Sequence, residues 1–523
     1  MSPKPLPLDG KSVACRSLAR SLGVLFALTL CATQLCQSFA AGPLPAFNYA
    51  TLREKARALA AAEYHPDTRP ELPETLKKLS YDDYQAIRFI PAQGPWQKEN
   101  LRFTFQFFHR GFIYHDPVRI HLVEQNQVHD FLFNTNQFEY LKKGPEGALP
   151  ADLSFAGLRV LYPLNLPGKQ DEVAAFLGAS YFRLIGAHQR YGASARGLAI
   201  DTGEPTGEEF PRFTDFWIEK PGVLDSSVRL YALLDSPSAA GAYQFVLQPG
   251  EISQMDVEAS VFVRKDIKKL GVGALTSMFL MGENRTRFLP DFRPEVHDSD
   301  GLLLHMADPE WSWRPLVNPD KEHVVSDFPA AILKGFGLLQ RDRLFDHYQD
   351  LAGRYEMRPS LWVEPRGALG TGTVELVEIP SPVEYNDNIV AYWVPAEKAA
   401  RGQELHWTYR LSACESDPEN TKLLRVEATR ITPEHDKAPP RFVIDFGADP
   451  TNSPPATAPI ETAIQASHGT IRNVVSEKNE VTSGWRSFFD LADAGNKPVE
   501  LRLFLHIGKE PLSETWIYHY QPP

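Results

Sequence analysis

The segment MDVEASVFV (255–263) sets Met255, Val257, Ala259, Val261 and Val263 on one face and Asp256, Glu258 and Ser260 on the other. A period of two belongs to a strand with one buried and one wet side. The same alternation runs through LRFTFQF (101–107), where Leu101, Phe103, Phe105 and Phe107 alternate with Arg102, Thr104 and Gln106. It returns near the C-terminus in Val499, Leu501, Leu503, Leu505 and Ile507. IVAYW (389–393), RFVIDF (441–446) and ETWIYHY (514–520) read as further strands. Helical patterning is scarce. Thr51 reads as an N-cap before LREKARALAAAEY, Ser80 opens a capping box before YDDYQAIRF, and FDHYQDLAGRYEM (345–357) has a helical look. The expected fold class is all-β, built from stacked sheets rather than an alternating α/β chain.

Composition agrees. The chain has 523 residues, 43 of them proline, and 11% aromatics; proline marks turns and strand edges, and aromatics fill sheets. The 54 Lys and Arg stand against 66 Asp and Glu, a formal charge of −12, with no basic run. That balance excludes nucleic acid as a partner, since phosphate contacts need clustered cations.

Residues 1–40 read as a secretory signal peptide. Lys4, Lys11, Arg16 and Arg20 precede the apolar SLGVLFALTLCATQL (21–35), and Ser38-Phe39-Ala40 puts small residues at a cleavage site. The apolar run is short of the roughly 20 residues that span a bilayer, so no stable membrane insertion is expected. Cys15, Cys31 and Cys36 leave with the leader. The remaining Cys414 has no basic neighbour, which fits a buried structural residue better than a nucleophile. Beyond the leader, residues 41–393 read as a large β-sandwich domain, VPAEKAARGQE (394–404) as a linker, and 405–523 as a smaller immunoglobulin-like sandwich.

Most cofactor chemistry lacks its motif. There is no phosphate loop, no dinucleotide fingerprint and no H-E-x-x-H zinc pair. Gly192-Ala-Ser-Ala-Arg196 has arginine where a nucleophile elbow needs its second glycine. HDSDG (297–301) places glycine fourth, where a calcium loop wants it sixth. No cofactor and no metal are expected.

An exported, acidic β protein of this kind suits a sugar polymer, held by aromatic faces, carboxylates and arginine forks. The stretch 297–393 offers that mixture in Glu310-Trp311-Ser312-Trp313-Arg314, in Arg358-Pro359-Ser360-Leu361-Trp362, and in Tyr348. Cleaving a glycosidic bond takes two carboxyl groups. Asp298, Asp300, Glu384 and Asp387 lie in polar, turn-like settings near aromatic strands, and the residues alone do not choose among them.

Long strings resemble one family. GASYFRLIGAHQRYGASARGLAIDTGEPTGEEFPRFTDFWIEKP (178–221), FRPEVHDSDGL (292–302), EWSWRPLVNP (310–319), RPSLWVEP (358–365) and NDNIVAYW (386–393) are similar to the periplasmic glucans biosynthesis protein G/D family. HRGFIYHDPV (109–118) and the ordinary secretory leader look more like its G branch. The resemblance implies a sugar-mutarotase-like sandwich followed by an immunoglobulin-like domain. It implies a periplasmic role in making osmoregulated glucans, β-1,2-linked glucose chains with β-1,6 branches. Some members are inverting endo-β-1,2-glucanases. On that pattern Asp298 matches the general base and Asp387 the general acid, with water reached through a longer proton relay. Glu384 matches an acidic, sugar-binding position, whereas Asp300 falls at a variable one. Asp300, Trp311, Trp313, Arg314, Tyr348, Arg358 and Trp362 are then candidates, with Glu384, to bind the glucan. A non-catalytic glucan carrier serving the inner-membrane synthase, or a branching transglycosylase, are the alternatives.

Overall fold

The computed structural model describes residues 46–67, 70–142, 149–150, 153–285, 290–306, 310–416, 422–435, 438–447 and 454–522. The leader expected over 1–40 lies outside them. Residues from Asn48 onward form one compact unit. Among the described residues no helix is long and apolar enough to cross a membrane.

The fold is all-β. MDVEASVFV lies in the strand Ser253–Val263, with Met255, Val257, Ala259 and Val261 buried. That strand is hydrogen-bonded to Ala239–Gln248 on one side and to Glu404–Cys414 on the other. It belongs to a 15-stranded sheet that runs from Gln127–Phe131 at one end to Glu461–Ala466 at the other. A second, 10-stranded sheet contains Thr104–Phe108, Ser194–Arg196, Leu270–Ser277 and Ile389–Pro395. The inward faces of both sheets share one apolar cluster. Phe176 and Phe182 of the smaller sheet meet Phe245 of the larger at ring-centroid distances of 5.2 and 5.4 Å. Alternation in the sequence is therefore burial between two sheets, the arrangement that hides one face of each.

A four-stranded sheet of Arg425–Thr432, Arg441–Gly447, Trp485–Ala492 and Thr470–Lys478 lies at the C-terminal end. Its Phe442, Ile444 and Phe489 pack on Leu503, Trp516 and Tyr518 of the large sheet. The strand Thr515–Tyr520 pairs in parallel with Trp311–Pro315, so one layer of this sandwich continues the large sheet. Residues 394–404 do not act as the linker expected from composition: the chain leaves Ile389–Pro395 and enters Glu404–Cys414, which bonds to Ser253–Val263 and Ser360–Pro365 in the heart of the large sheet. Cys414 is buried there.

The helical segments are shorter than their sequences suggest. Asn48, not Thr51, caps Tyr49–Ala61; Thr51 closes the capping box by bonding back to Asn48. Ser80 does cap a helix, but it ends at Gln85 and gives way to the strand Ile87–Phe89. FDHYQDLAGRYEM holds one turn, Phe345–Tyr348, and a 3-10 turn, Tyr355–Met357. Gln349 and Arg354, at φ 55° and 45°, break what lies between.

A buried ion pair joins the two sheets where the C-terminal layer begins. Arg314 Nη2 lies 3.0 Å from Glu378 Oε2, and Glu378 Oε1 accepts the Val317 amide at 2.7 Å. Neither side chain is more than 1% exposed. Glu378→Ala strands the guanidinium in the interior, a loss of about 3–5 kcal/mol for a broken buried pair. Urea unfolding of the variant should show that loss as a lowered midpoint.

Candidate functional site

A dipeptide brings the two aspartates of the resemblance to one place. Phe279–Met281 pairs with Val296–His297, and the Asp298 amide donates to the Met278 carbonyl at 2.8 Å. Next door, Asn388 accepts the Phe279 amide at 2.8 Å and donates to the Phe279 and Ile379 carbonyls, each at 3.0 Å. Met278 and Phe279 thus anchor Asp298 on one side and the loop carrying Asp387 on the other.

Arg358 joins them. Its Nη1 bonds to Asp298 Oδ1, and its guanidinium lies 3.9 Å over the Tyr355 ring. Tyr355 donates to Glu384 Oε2 at 3.0 Å, and the same oxygen takes Arg293 Nη1 at 2.6 Å. Arg293 also holds Asp350 at 2.8 Å and Asp291 at 2.7 Å, clamping three loops. Burial pushes Arg358 down to about 10 against the fields of Glu384 and Asp387, with Arg183 and Arg293 adding repulsion. Asp387 is solvent-accessible as a residue. Desolvation of its carboxyl by the surrounding protein raises its pKa, while Arg183, Arg196 and Arg358 pull the other way.

Behind Asp298 sits a fully buried polar support. His297 faces Glu295 Oε2 at 3.0 Å through Nε2, and Gln340 Oε1 at 2.9 Å through Nδ1. Gln340 Nε2 reaches the His297 carbonyl, the Tyr348 hydroxyl and the Tyr355 carbonyl at 2.9–3.2 Å. Burial opposes the charge on His297, but Glu295 and Asp300 outweigh it and push the imidazole up to about 9. Burial and then Glu295 push Glu283 up to about 8. Both groups bind a proton more tightly folded than unfolded. Their stabilisation is complete below the unfolded values, 6.5 for the histidine and 4.5 for the glutamate, and is lost as pH rises through about 9 and about 8. Between pH 6 and 10 the protein should lose stability, on the order of 3 kcal/mol from the histidine alone. Denaturant titrations across that range should show a shallower decline for His297→Gln.

Other candidates lie elsewhere. Trp311, Trp313 and Trp362 are at most 7% exposed and belong to the core beneath the C-terminal sandwich. Trp313 lies across Gly301, where a β-carbon would come within 2.2 Å of the indole. Their rings have no face to offer a sugar. Arg314 is committed to Glu378, and Tyr348 is buried in the support. Asp300 turns away from Arg358: its Oδ2 accepts the Arg341 and Asp342 amides, both at 2.7 Å. These six were expected to touch substrate, and the packing gives them structural work instead.

Residue-by-residue reading missed Tyr355, Arg293, Arg183 and Asn388. A signal lay in GASAR, set aside as a defective elbow. Ser194 accepts Arg183 Nε at 2.9 Å, Arg196 lies 4.7 Å over Tyr181 in the field of Asp387, and Gly192 packs where a β-carbon would meet Arg358 carbons at 2.9 Å. The string is one wall of the recess.

A cavity of about 640 Å³ lies apart from this recess, beside the C-terminal sandwich, with Arg341, Arg343, Glu427 and Arg486 on its walls. It meets the support through Glu283, Glu295 and Asp342, whose carbonyl accepts the Tyr348 hydroxyl at 3.2 Å. On its wall Glu295, Asp342 and His347 bring metal-ligating atoms within 4.8 Å of one another. His347 already bonds to Asp342, which satisfies that pair internally.

Fold and recess together define an all-β protein with Asp298 held by Arg358 and Asp387 on the neighbouring loop, in an aromatic, guanidinium-lined site. The chain belongs to the family described as "Periplasmic glucan biosynthesis protein, MdoG", whose model matches residues 47–520. It is 45% identical over 493 residues to Glucans biosynthesis protein G of Ralstonia nicotianae, covering 91% of this chain and 96% of that one. It is also 45% identical over 501 residues to Glucans biosynthesis protein D 1 of the same organism, covering 91% and 92%. Against Probable glucans biosynthesis protein D of Shewanella oneidensis it is 41% identical over 516 residues, 97% and 94%. Relatives named G and D stand equally near, so identity does not assign the branch.

Proposed function

We propose that the protein works in the periplasm in glucan biosynthesis and acts on the β-1,2-linked backbone as an inverting endo-β-1,2-glucanase. Asp298 takes a proton from water, directly or through an intervening hydroxyl. The water oxygen bonds to the anomeric carbon from the face opposite the leaving group, the glycosidic C–O bond breaks, and Asp387 gives its proton to the departing oxygen. Glu384 and Arg358 hold sugar hydroxyls beside the acids. The observation that carries this reading is the anchoring of Asp298 and of the Asp387 loop on the adjacent Met278 and Phe279, with Asp298 paired to Arg358 and Asp387 desolvated in the direction of its protonated form. A general acid must hold its proton until the leaving oxygen takes it.

One observation favours a second reading, a glucan carrier that serves the inner-membrane synthase or a branching enzyme. The ion pair commits the Asp298 carboxylate to Arg358, and a binder uses the same arginine and carboxylates without needing proton transfer. Purified protein incubated with linear β-1,2-glucan decides between them. A hydrolase releases shorter chains with inverted α-anomeric ends, visible by NMR in the first turnovers. A carrier leaves chain length unchanged, and a transglycosylase yields longer or branched products.

A further inference from the structure

The loop Gly111–Tyr114 is held rigidly yet displays apolar side chains to solvent. Gly111 and Tyr114 exchange backbone hydrogen bonds at 3.0 and 2.9 Å, and the Phe112 amide donates to the Leu76 carbonyl at 2.9 Å. The buried Arg110 ties down its base, donating to the Leu153 carbonyl at 2.8 Å and the His115 carbonyl at 2.9 Å. Phe112 sits at φ 56°, a left-handed conformation that a bulky residue adopts only under constraint. Ile113 is 66% exposed and Tyr81, on the facing helix turn, 57%. A strained backbone persists where the surroundings enforce it, and such positions gather at ligand sites. A rigid, exposed apolar patch has the same meaning.

The rings form a connected series. Tyr114 lies 5.4 Å from Tyr84, Tyr84 6.1 Å from Phe112, and Phe112 5.9 Å from Tyr81, centroid to centroid. At one end of the series the Tyr114 ring packs on Gly178, where a β-carbon would meet it at 3.3 Å; the Gly178 carbonyl accepts the amide of Tyr181, the ring beneath Arg196 of the recess wall. At the other end is the exposed Tyr81. Uncharged rings of this kind present flat π faces, which suit the C–H faces of a neutral sugar and offer nothing to an ionic ligand.

We propose that the ridge Tyr114–Tyr84–Phe112–Tyr81 is a sugar-stacking subsite that carries a linear glucan away from the Asp387 recess. This rests on the reading that the recess takes β-1,2-glucan. The ridge supplies the aromatic platform that the buried tryptophans cannot. Because it extends outward from the acid, it favours long chains over short ones and biases attack toward positions inside the chain.

The test separates binding from chemistry. Asp387→Asn and the double variant Asp387→Asn/Tyr81→Ala are titrated calorimetrically with linear β-1,2-glucan and with the β-1,2-linked disaccharide. Tyr81 is exposed enough that its truncation leaves the fold intact, which a matched melting curve verifies. The expected result is a Kd for the long glucan raised about tenfold by Tyr81→Ala, the scale of one lost ring contact, with the disaccharide unaffected. Phe112→Ala in the same background should do likewise. Equal Kd values for all three proteins overturn the ridge, while the role of Asp387 is judged separately by hydrolysis in the single variant. Failure of Asp387→Asn to bind the glucan at all overturns both.

Discussion

Asp387→Asn lowers the rate of β-1,2-glucan hydrolysis by about 10²–10⁴-fold and leaves the protein folded. The substitution is nearly isosteric and, for an acid that works protonated, changes no charge in the working form. Arg183, Arg196 and Arg358 therefore keep a neutral neighbour, and only the transferable proton is removed. The wild-type profile carries the sign of the shifted pKa. Burial raises Asp387, so its proton is retained to higher pH than on an ordinary aspartate, and the rate falls as pH rises through that raised value. In the variant that alkaline limb disappears along with most of the rate. Product release at the wild-type rate would remove Asp387 from the role of acid and leave the carrier reading standing. Melting curves for the two proteins should coincide, which separates loss of chemistry from loss of fold.

What could be read from the residues follows from how local each signal is. Strand Ser253–Val263 announces itself because period two is written in adjacent positions. The same signal continues through Leu405, Trp407, Tyr409 and Leu411, alternating with Glu404, His406, Thr408 and Arg410. Small and charged residues at 394–403 suggested a linker; they are the crossing from a strand of the ten-stranded sheet to one of the fifteen-stranded sheet, and composition does not distinguish such a crossing from a linker. The tryptophans failed for another reason. EWSWR places both indoles on one face of a strand, as its alternation says, but not against which partner. In the fold that partner is the C-terminal sandwich, from residues more than a hundred positions away. Asp298 and Asp300 are two positions apart, and only three-dimensional context turns one toward Arg358 and the other onto the Arg341 and Asp342 amides. Family resemblance singled out Asp298 where composition and spacing left four acids level. Arg293 lies in FRPEVHDSDGL and Tyr355 in FDHYQDLAGRYEM, but nothing in either string marks these residues for a site. Their meaning comes from Glu384, which each reaches across the recess from a different loop.

Arg358→Met separates the two acids electrically and should cost about 10²-fold in turnover on linear β-1,2-glucan. Three losses combine. Asp298 loses the guanidinium that fixes its carboxylate, Tyr355 loses the cation lying 3.9 Å over its ring, and Asp387 loses one of the three positive charges that hold its pKa down. The third loss gives the experiment its direction. With Arg358 gone, desolvation of Asp387 meets less opposition, its pKa climbs further, and the alkaline limb of the pH–rate profile moves to higher pH. A residue that only propped the fold would lower the rate at every pH alike. Arg358→Lys divides the effects again. An ammonium keeps the charge near Asp387, so the limb stays closer to its wild-type position. It cannot lie flat on Tyr355 or present a planar fork to Asp298, so much of the rate is still lost. A limb that moves for methionine and stays for lysine, with both variants slow, identifies Arg358 as the charge that holds the Asp298 carboxylate and tunes the proton of Asp387. Identical profiles for both variants would reduce it to packing against Gly192.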